Sequence, residues 1–153
     1  MGIDGLRAFL RRHRRVAINT NIFIYQLEAH PRYDALTGVI FSWLEASGHS
    51  AVTSAITMTE LLVQPYARKD EALVERYYGL LATFPHLDWN APSLSTAGLA
   101  ARLRADYRMR TPDALQAATA LESGATAFLT NDAIFKRVQG FEALVLEELI
   151  RPS

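Results

Sequence analysis

The chain has 153 residues, half of them hydrophobic, with 16 basic and 16 acidic side chains and no cysteine. One domain of this size buries roughly 70% of the surface its unfolded form exposes, while the lack of cysteine excludes disulfides, thiolate zinc sites and thiol nucleophiles. Zero net charge gives no overall pull toward nucleic acid, no stretch approaches the roughly 20 apolar residues of a membrane span, and no leader is expected, since the N-terminal segment lacks an apolar run followed by a cleavage site.

The expectation is therefore a soluble cytoplasmic protein with no membrane partner. Asp4 to His13 places Leu6, Phe9 and Leu10 at helical spacing, an amphipathic segment that persists only if it packs on the body. Val16 to Ile18 reads as a buried strand. Thr20 or Asn21 can cap the next helix, whose apolar contacts are Ile22, Phe23, Tyr25 and Leu27 before Pro31 breaks it. From Tyr33 to Ala46, Leu36, Val39, Ile40, Trp43 and Leu44 recur at three and four, and Gly48 closes the helix.

Ala51 to Thr53 is a second strand, after which Ser54 caps a helix carrying Ile56, Met58, Leu61, Leu62 and Val63 that Pro65 is expected to end. Asp70 to Phe84 is another helix, with Leu73, Tyr77, Leu80 and Leu81 inward. His86 to Trp89 is a brief strand, and Pro92-Ser93 opens a helix reaching Tyr107. Thr111-Pro112 reads as a capping hydroxyl and a proline at the first helical position. The helix it opens presents Ala114, Ala117, Ala118 and Leu121, a small-residue stripe suited to lying close on a sheet, and Gly124 ends it. Ala127 to Leu129 is the fourth strand, Asp132 caps a short helix, and Ala143 to Leu146 is a fifth strand at an edge. Short apolar strands alternating with crossover helices predict a three-layer α/β/α sandwich around a mostly parallel five-stranded sheet.

Apart from Lys69 and Lys136, the basic residues are arginines, clustered at Arg11, Arg12, Arg14 and Arg15 and again at Arg102, Arg104, Arg108 and Arg110. Such clusters serve as solvated faces, partner contacts or phosphate-binding surfaces. Asn19, Glu60, Asp113 and Asp132 fall at strand ends or in the helices that follow them. Each has an ordinary explanation. Glu60 suits a half-exposed face, Asp113 gains roughly 0.3 to 1 kcal/mol from the helix dipole, and Asp132 is an N-cap. Together they suggest a cleft at the carboxyl ends of the strands. Hard oxygen ligands without His or Cys suit Mg²⁺ or Mn²⁺, and such a site supports attack of water on a phosphodiester.

Four segments carry a further indication: Asn19-Thr20-Asn21-Ile22-Phe23-Ile24-Tyr25; Thr59-Glu60-Leu61; Thr111-Pro112-Asp113-Ala114-Leu115-Gln116-Ala117-Ala118; and Phe128-Leu129-Thr130-Asn131-Asp132. In that order they resemble the PIN domains, and among them the VapC-type ribonuclease toxins. The resemblance implies one PIN-like domain over 1–153, with 1–15 as an amphipathic basic extension ahead of the family's usual start. It implies a Mg²⁺- or Mn²⁺-dependent endoribonuclease, acting on RNA, dimeric, and held inactive by a small antitoxin protein. Glu60, Asp113 and Asp132 would be metal-site acids, with Thr20, Asn21 and Thr130 as supporting polar groups. The family's first acid is replaced here by Asn19, an amide that can still ligate but brings no charge, so weak metal binding and weak cleavage are expected.

Arg104 and Arg108, four apart before Asp113, could reach an RNA backbone, while Tyr25, Trp89 and Tyr107 could stack bases or belong to the core. A phosphoacceptor receiver domain shares the architecture, but needs an early acceptor Asp and a late lysine after a strand that this chain lacks. P-loop, dinucleotide, serine-hydrolase and metalloprotease motifs are absent, and the histidines lack metal-ligand spacing. The competing function is a non-catalytic RNA- or partner-binding module on the same scaffold.

Overall fold

The computed structural model describes residues 2–151, so Met1, Pro152 and Ser153 of the expected domain lie outside the described residues. Five parallel strands form one sheet in the order β3-β2-β1-β4-β5: β1 (Arg15–Ile18), β2 (Ser50–Ser54), β3 (Leu87–Asn90), β4 (Ala127–Thr130) and β5 (Glu142–Val145). The central strands are apolar on both faces, as a doubly covered parallel sheet requires. Val16, Ile18, Ala127 and Leu129 face one helical layer, while the alternate residues Ala17, Val52 and Phe128 face the other. The edge strands instead carry the charges Asp88 and Glu142.

The first layer holds α1 (Gly2–Arg11), α2 (Thr20–Leu27), α3 (Asp34–Glu45), α4 (Ile56–Ala67), α5 (Glu71–Ala82) and α8 (Leu146–Ile150); the second holds α6 (Leu94–Tyr107), α7 (Thr111–Glu122) and a 3-10 turn (Ala133–Arg137). The expected α/β/α sandwich is the observed one, with every pairing parallel. The N-terminal extension is helical and docked, with Leu6, Phe9 and Leu10 buried. No described helix is long and apolar enough to cross a membrane.

Several local expectations are corrected. Asn19 caps α2, not Thr20 or Asn21, because its backbone is extended and its side chain accepts the Thr20 N–H. Pro65 lies inside α4, in the last turn, where one missing N–H is tolerated because Leu61, Leu62 and Pro65 are buried together. Thr111 is the first residue of α7 and Arg110 occupies the cap. Val63 and Leu80 point to solvent, 53% and 52% exposed, since the buried face of α4 runs through Leu61, Leu62 and Pro65 and that of α5 through Val74 and Leu81. β5 ends at Val145, and Leu146 opens the unanticipated α8.

Gly140, between the 3-10 turn and β5, has φ +115°, and a Cβ there would sit 2.6 Å from Leu121 Cδ2. Gly140→Ala meets both backbone strain and overlap, so it is expected to destabilise by more than about 1 kcal/mol, read from the midpoint of urea unfolding.

Candidate functional site

From β1 the sheet grows outward to β2 and β3 on one side, and later to β4 and β5 on the other. The connections leaving β1 and β4 diverge onto opposite faces, the arrangement that in open α/β sheets leaves a crevice between the carboxyl ends. Asn19 leaves β1 at this point and Thr130 ends β4. The Asn19 amide bridges them: Nδ2 donates to Thr130 Oγ1 at 2.9 Å, while Oδ1 accepts the Thr20 N–H at 2.9 Å. Thr130 Oγ1 also accepts the Asp132 N–H at 3.0 Å, and Asp132 Oδ1 accepts the Ile134 N–H at 3.0 Å. Asp132 is thus held both by its own cap and by the hydroxyl that Asn19 contacts.

On the other side, Thr20 Oγ1 donates to Glu60 Oε1 at 2.7 Å. Behind Thr20 lies a buried polar cluster. Gln116 Nε2 donates to Thr57 Oγ1 at 2.7 Å and to Thr20 Oγ1 at 3.3 Å, while Thr53 Oγ1 contacts Thr57 Oγ1 at 2.7 Å and donates to the Ile18 carbonyl at 2.8 Å. These four residues are at most 5% exposed, so their pairing is enforced by the cost of an unmet polar group in the interior.

Asp113 stands in the first turn of α7, its side chain 18% exposed, with Arg110 Nε 3.5 Å from Oδ2. Burial pushes its carboxyl above the usual range, Arg110 pulls it back, and the charge of Asp132 pushes it up again. Asp113 and Asp132 therefore feel one another. Among the described residues, however, no three His, Asp or Glu side chains come together closely enough to hold an ion between them. Hydrogen bonds run from Glu60 through Thr20 to Asn19 and on through Thr130 to Asp132. Asn21 Oδ1, in the first turn of α2, is buried without a hydrogen-bond partner among the described residues.

The raised Asp113 carries a sign. A carboxyl that binds its proton more tightly when folded costs stability as pH rises through the ordinary Asp range and beyond. Asp113→Asn is therefore expected to raise the metal-free Tm at neutral pH, with the gain fading as pH falls below about 4; thermal melts across pH read it.

The basic and aromatic candidates fare differently. Arg104 and Arg108 do not share a helical stripe. α6 stops at Tyr107, Arg108 takes the left-handed position with φ +58°, and Arg104 Nε donates to the Met109 carbonyl at 3.0 Å. The arginine beside the acids is Arg110. Trp89 stacks on Phe23 and donates to the Leu81 carbonyl, Tyr107 lies under Arg137, and the Tyr25 hydroxyl accepts from Asn131 Nδ2 at 3.1 Å. Of the N-terminal arginines, Arg12 clamps Glu142, while Arg15 reaches Ser123, Ser50 and Asp88. Both act at the amino ends of the strands, away from the crevice.

Sequence reasoning missed Thr53, Thr57, Gln116 and Asn131. A polar side chain within the alanine-rich α7 was the available signal for Gln116. Asn131 accepts the Glu147 N–H at 2.8 Å while donating to Tyr25. Glu147 is in turn gripped by Arg32 and Tyr33, which hold its carboxyl down to about 2.

Comparison with known proteins gives a consistent answer. The chain superposes on VapBC-1 of nontypeable Haemophilus influenzae with a TM-score of 0.66 and 19% identity, covering 87% of this chain and 98% of that one. It superposes on VapBC2 of Rickettsia felis, solved with a DNA fragment from their promoter, at 0.65 and 18% identity over 86% and 98%. A toxin–antitoxin complex of Klebsiella pneumoniae matches at 0.65 and 20% identity over 86% and 97%. At these identities the likeness is one of fold. No curated protein matches the chain in sequence. The PIN domain family matches residues 16–140, nearly all of the chain from β1 to the turn before β5, and the chain belongs to that family.

Proposed function

We propose that the chain is a VapC-type nuclease: an endoribonuclease using Mg²⁺ or Mn²⁺, the toxin of a toxin–antitoxin pair, weakened at Asn19. What supports this reading is the hydrogen-bonded run from Glu60 through Thr20, Asn19 and Thr130 to Asp132 at the junction of β1 and β4, with Asp113 feeling the charge of Asp132. The donors are hard oxygens, and the mutual repulsion of Asp113 and Asp132 is what a divalent cation relieves, so the residues fit such an ion in chemistry while falling one charge short. Glu60, Asp113 and Asp132 would hold it. When bound, the ion activates water and steadies the charge that develops on a phosphodiester.

The chain's own groups prepare that chemistry. Thr20 occupies one oxygen of Glu60 and leaves the other without a partner among the described residues. The cap at Ile134 and the tie to Thr130 fix the backbone that presents Asp132. Arg110, its side chain 79% exposed, is placed to meet an RNA phosphate beside Asp113. The groove lined by Ile24, Leu27, Leu61, Pro65 and Arg68 runs up to Glu60 and would take a segment of the antitoxin. On the same reading the protein is a homodimer.

The Asn19 amide favours a second reading. Its oxygen and nitrogen are both engaged within the protein, as a binding module without catalysis would allow. Cleavage of single-stranded RNA with Mn²⁺, by the chain and by Asn19→Asp, separates the two. The nuclease reading expects a clear gain in the variant; an inert variant favours the binding module.

A further inference from the structure

The proton arrangement in the buried cluster is determined. Thr53 gives its one hydroxyl proton to the Ile18 carbonyl at 2.8 Å, so across the 2.7 Å contact with Thr57 the donor must be Thr57. Thr57 then has no proton left for Thr20, 3.1 Å away. Gln116 meets both hydroxyl oxygens with Nε2, and its amide cannot be turned round, because Oε1 would face a Thr57 oxygen that has no proton to offer. Gln116 already supplies Thr57 Oγ1, and the Thr20 proton goes to the nearer, charged acceptor, Glu60 Oε1 at 2.7 Å rather than Thr57 at 3.1 Å. A chain of hydroxyls anchored on the β1 backbone ends at one carboxylate in the crevice.

We infer that Gln116 is a positioning residue for Glu60: by satisfying Thr57 it commits the Thr20 hydroxyl to Glu60 and so fixes that carboxylate in the crevice. The consequence for metal binding rests on the nuclease reading; the hydrogen-bond ordering does not. Without the Gln116 amide, Thr57 Oγ1 becomes an unmet acceptor 3.1 Å from Thr20 and competes with Glu60 for the Thr20 proton. Removing Thr57 Oγ1 as well takes away the competitor and returns the proton to Glu60, since deleting both partners of a buried hydrogen bond leaves no orphan.

Two readouts test this. In the metal-free chain, the Glu60 carboxyl carbon resonance, identified by its loss in Glu60→Gln, is expected to move in Gln116→Met and to return toward its original position in Gln116→Met with Thr57→Val. In Asn19→Asp protein, Gln116→Met is expected to weaken Mn²⁺ binding about tenfold, with most of the loss recovered by adding Thr57→Val and no loss in a Glu60→Gln background. A stationary carboxyl resonance in Gln116→Met overturns the inference, as does a double variant worse than the single one. If Asn19→Asp fails to bind Mn²⁺ while the resonance moves and returns, the nuclease reading falls and the positioning role stands.

Discussion

Asn19→Asp is expected to raise Mn²⁺-dependent cleavage of single-stranded RNA by at least about 10- to 100-fold over the chain as it stands, a range set by what the loss of supporting groups costs metal sites. The substitution is nearly isosteric and the surrounding network can absorb it. Asn19 Nδ2 now donates to Thr130 Oγ1, which also accepts from the Asp132 N–H. With a carboxylate at 19, Thr130 turns its own hydroxyl proton toward it and keeps the Asp132 contact, while the other carboxylate oxygen continues to cap α2 at Thr20. What changes is charge. A further negative group one hydroxyl away from Asp132 adds repulsion in the metal-free state, so the variant should melt at a lower temperature than the parent without metal. Mn²⁺ should then stabilise it by about 2.7 kcal/mol at a hundredfold excess over Kd, and the parent by much less. Parallel melts and RNA cleavage assays read both effects; equal behaviour of the two proteins would sink the expectation.

The largest effect on stability is expected at Phe128. This residue is fully buried in β4, with its ring stacked on Phe135 at 4.3 Å and on Phe141 at 5.1 Å between centroids. It joins the central sheet to the 3-10 turn that leads from Asp132 to β5. Phe128→Ala removes the ring and leaves a cavity that Phe135 can fill only by abandoning its cap-anchored turn, so the cost should reach about 3 to 5 kcal/mol. Urea unfolding measures it, and a loss below about 1 kcal/mol would mean that the turn repacks freely. Because the turn begins at Asp132, the variant should also bind Mn²⁺ more weakly in an Asn19→Asp background.

The fold was legible because the strands are short, apolar and bounded by helix starts. Val16 to Ile18 and Ala127 to Leu129 leave little choice but a doubly covered parallel sheet. Asp132 could be recognised as a cap from its place after β4, and the docked extension from Leu6, Phe9 and Leu10. Periodicity marks a helical face but not what covers it, which is why Leu80, expected inward, is exposed. Arg104 and Arg108 seemed to share a stripe because no glycine or asparagine announces the left-handed end of α6. Leu146 extends the apolar end of β5, and the five residues of Leu146 to Ile150 are too few to show a helical period, so α8 was hidden behind a strand.

The acids of the site could be assembled from strand ends, but their support could not. Thr53, Thr57 and Gln116 come from β2, α4 and α7, and nothing local shows that the three meet under Thr20. Conversely, proximity inferred from topology overstated closeness. Among the described residues no three His, Asp or Glu side chains enclose an ion as they stand. The mutual repulsion of the carboxylates offers a physical reason, and the Asn19 amide, fastened to Thr20 and Thr130, supplies no positive charge to offset it.

Manganese titration of Asn19→Asp, followed by electron paramagnetic resonance alongside the same protein carrying Asp132→Asn, tests most directly whether these residues act as one centre. One saturable ion per chain in the first protein, lost in the second, is the predicted result. Equal binding by both, or none by either, would contradict a shared centre at the junction of β1 and β4.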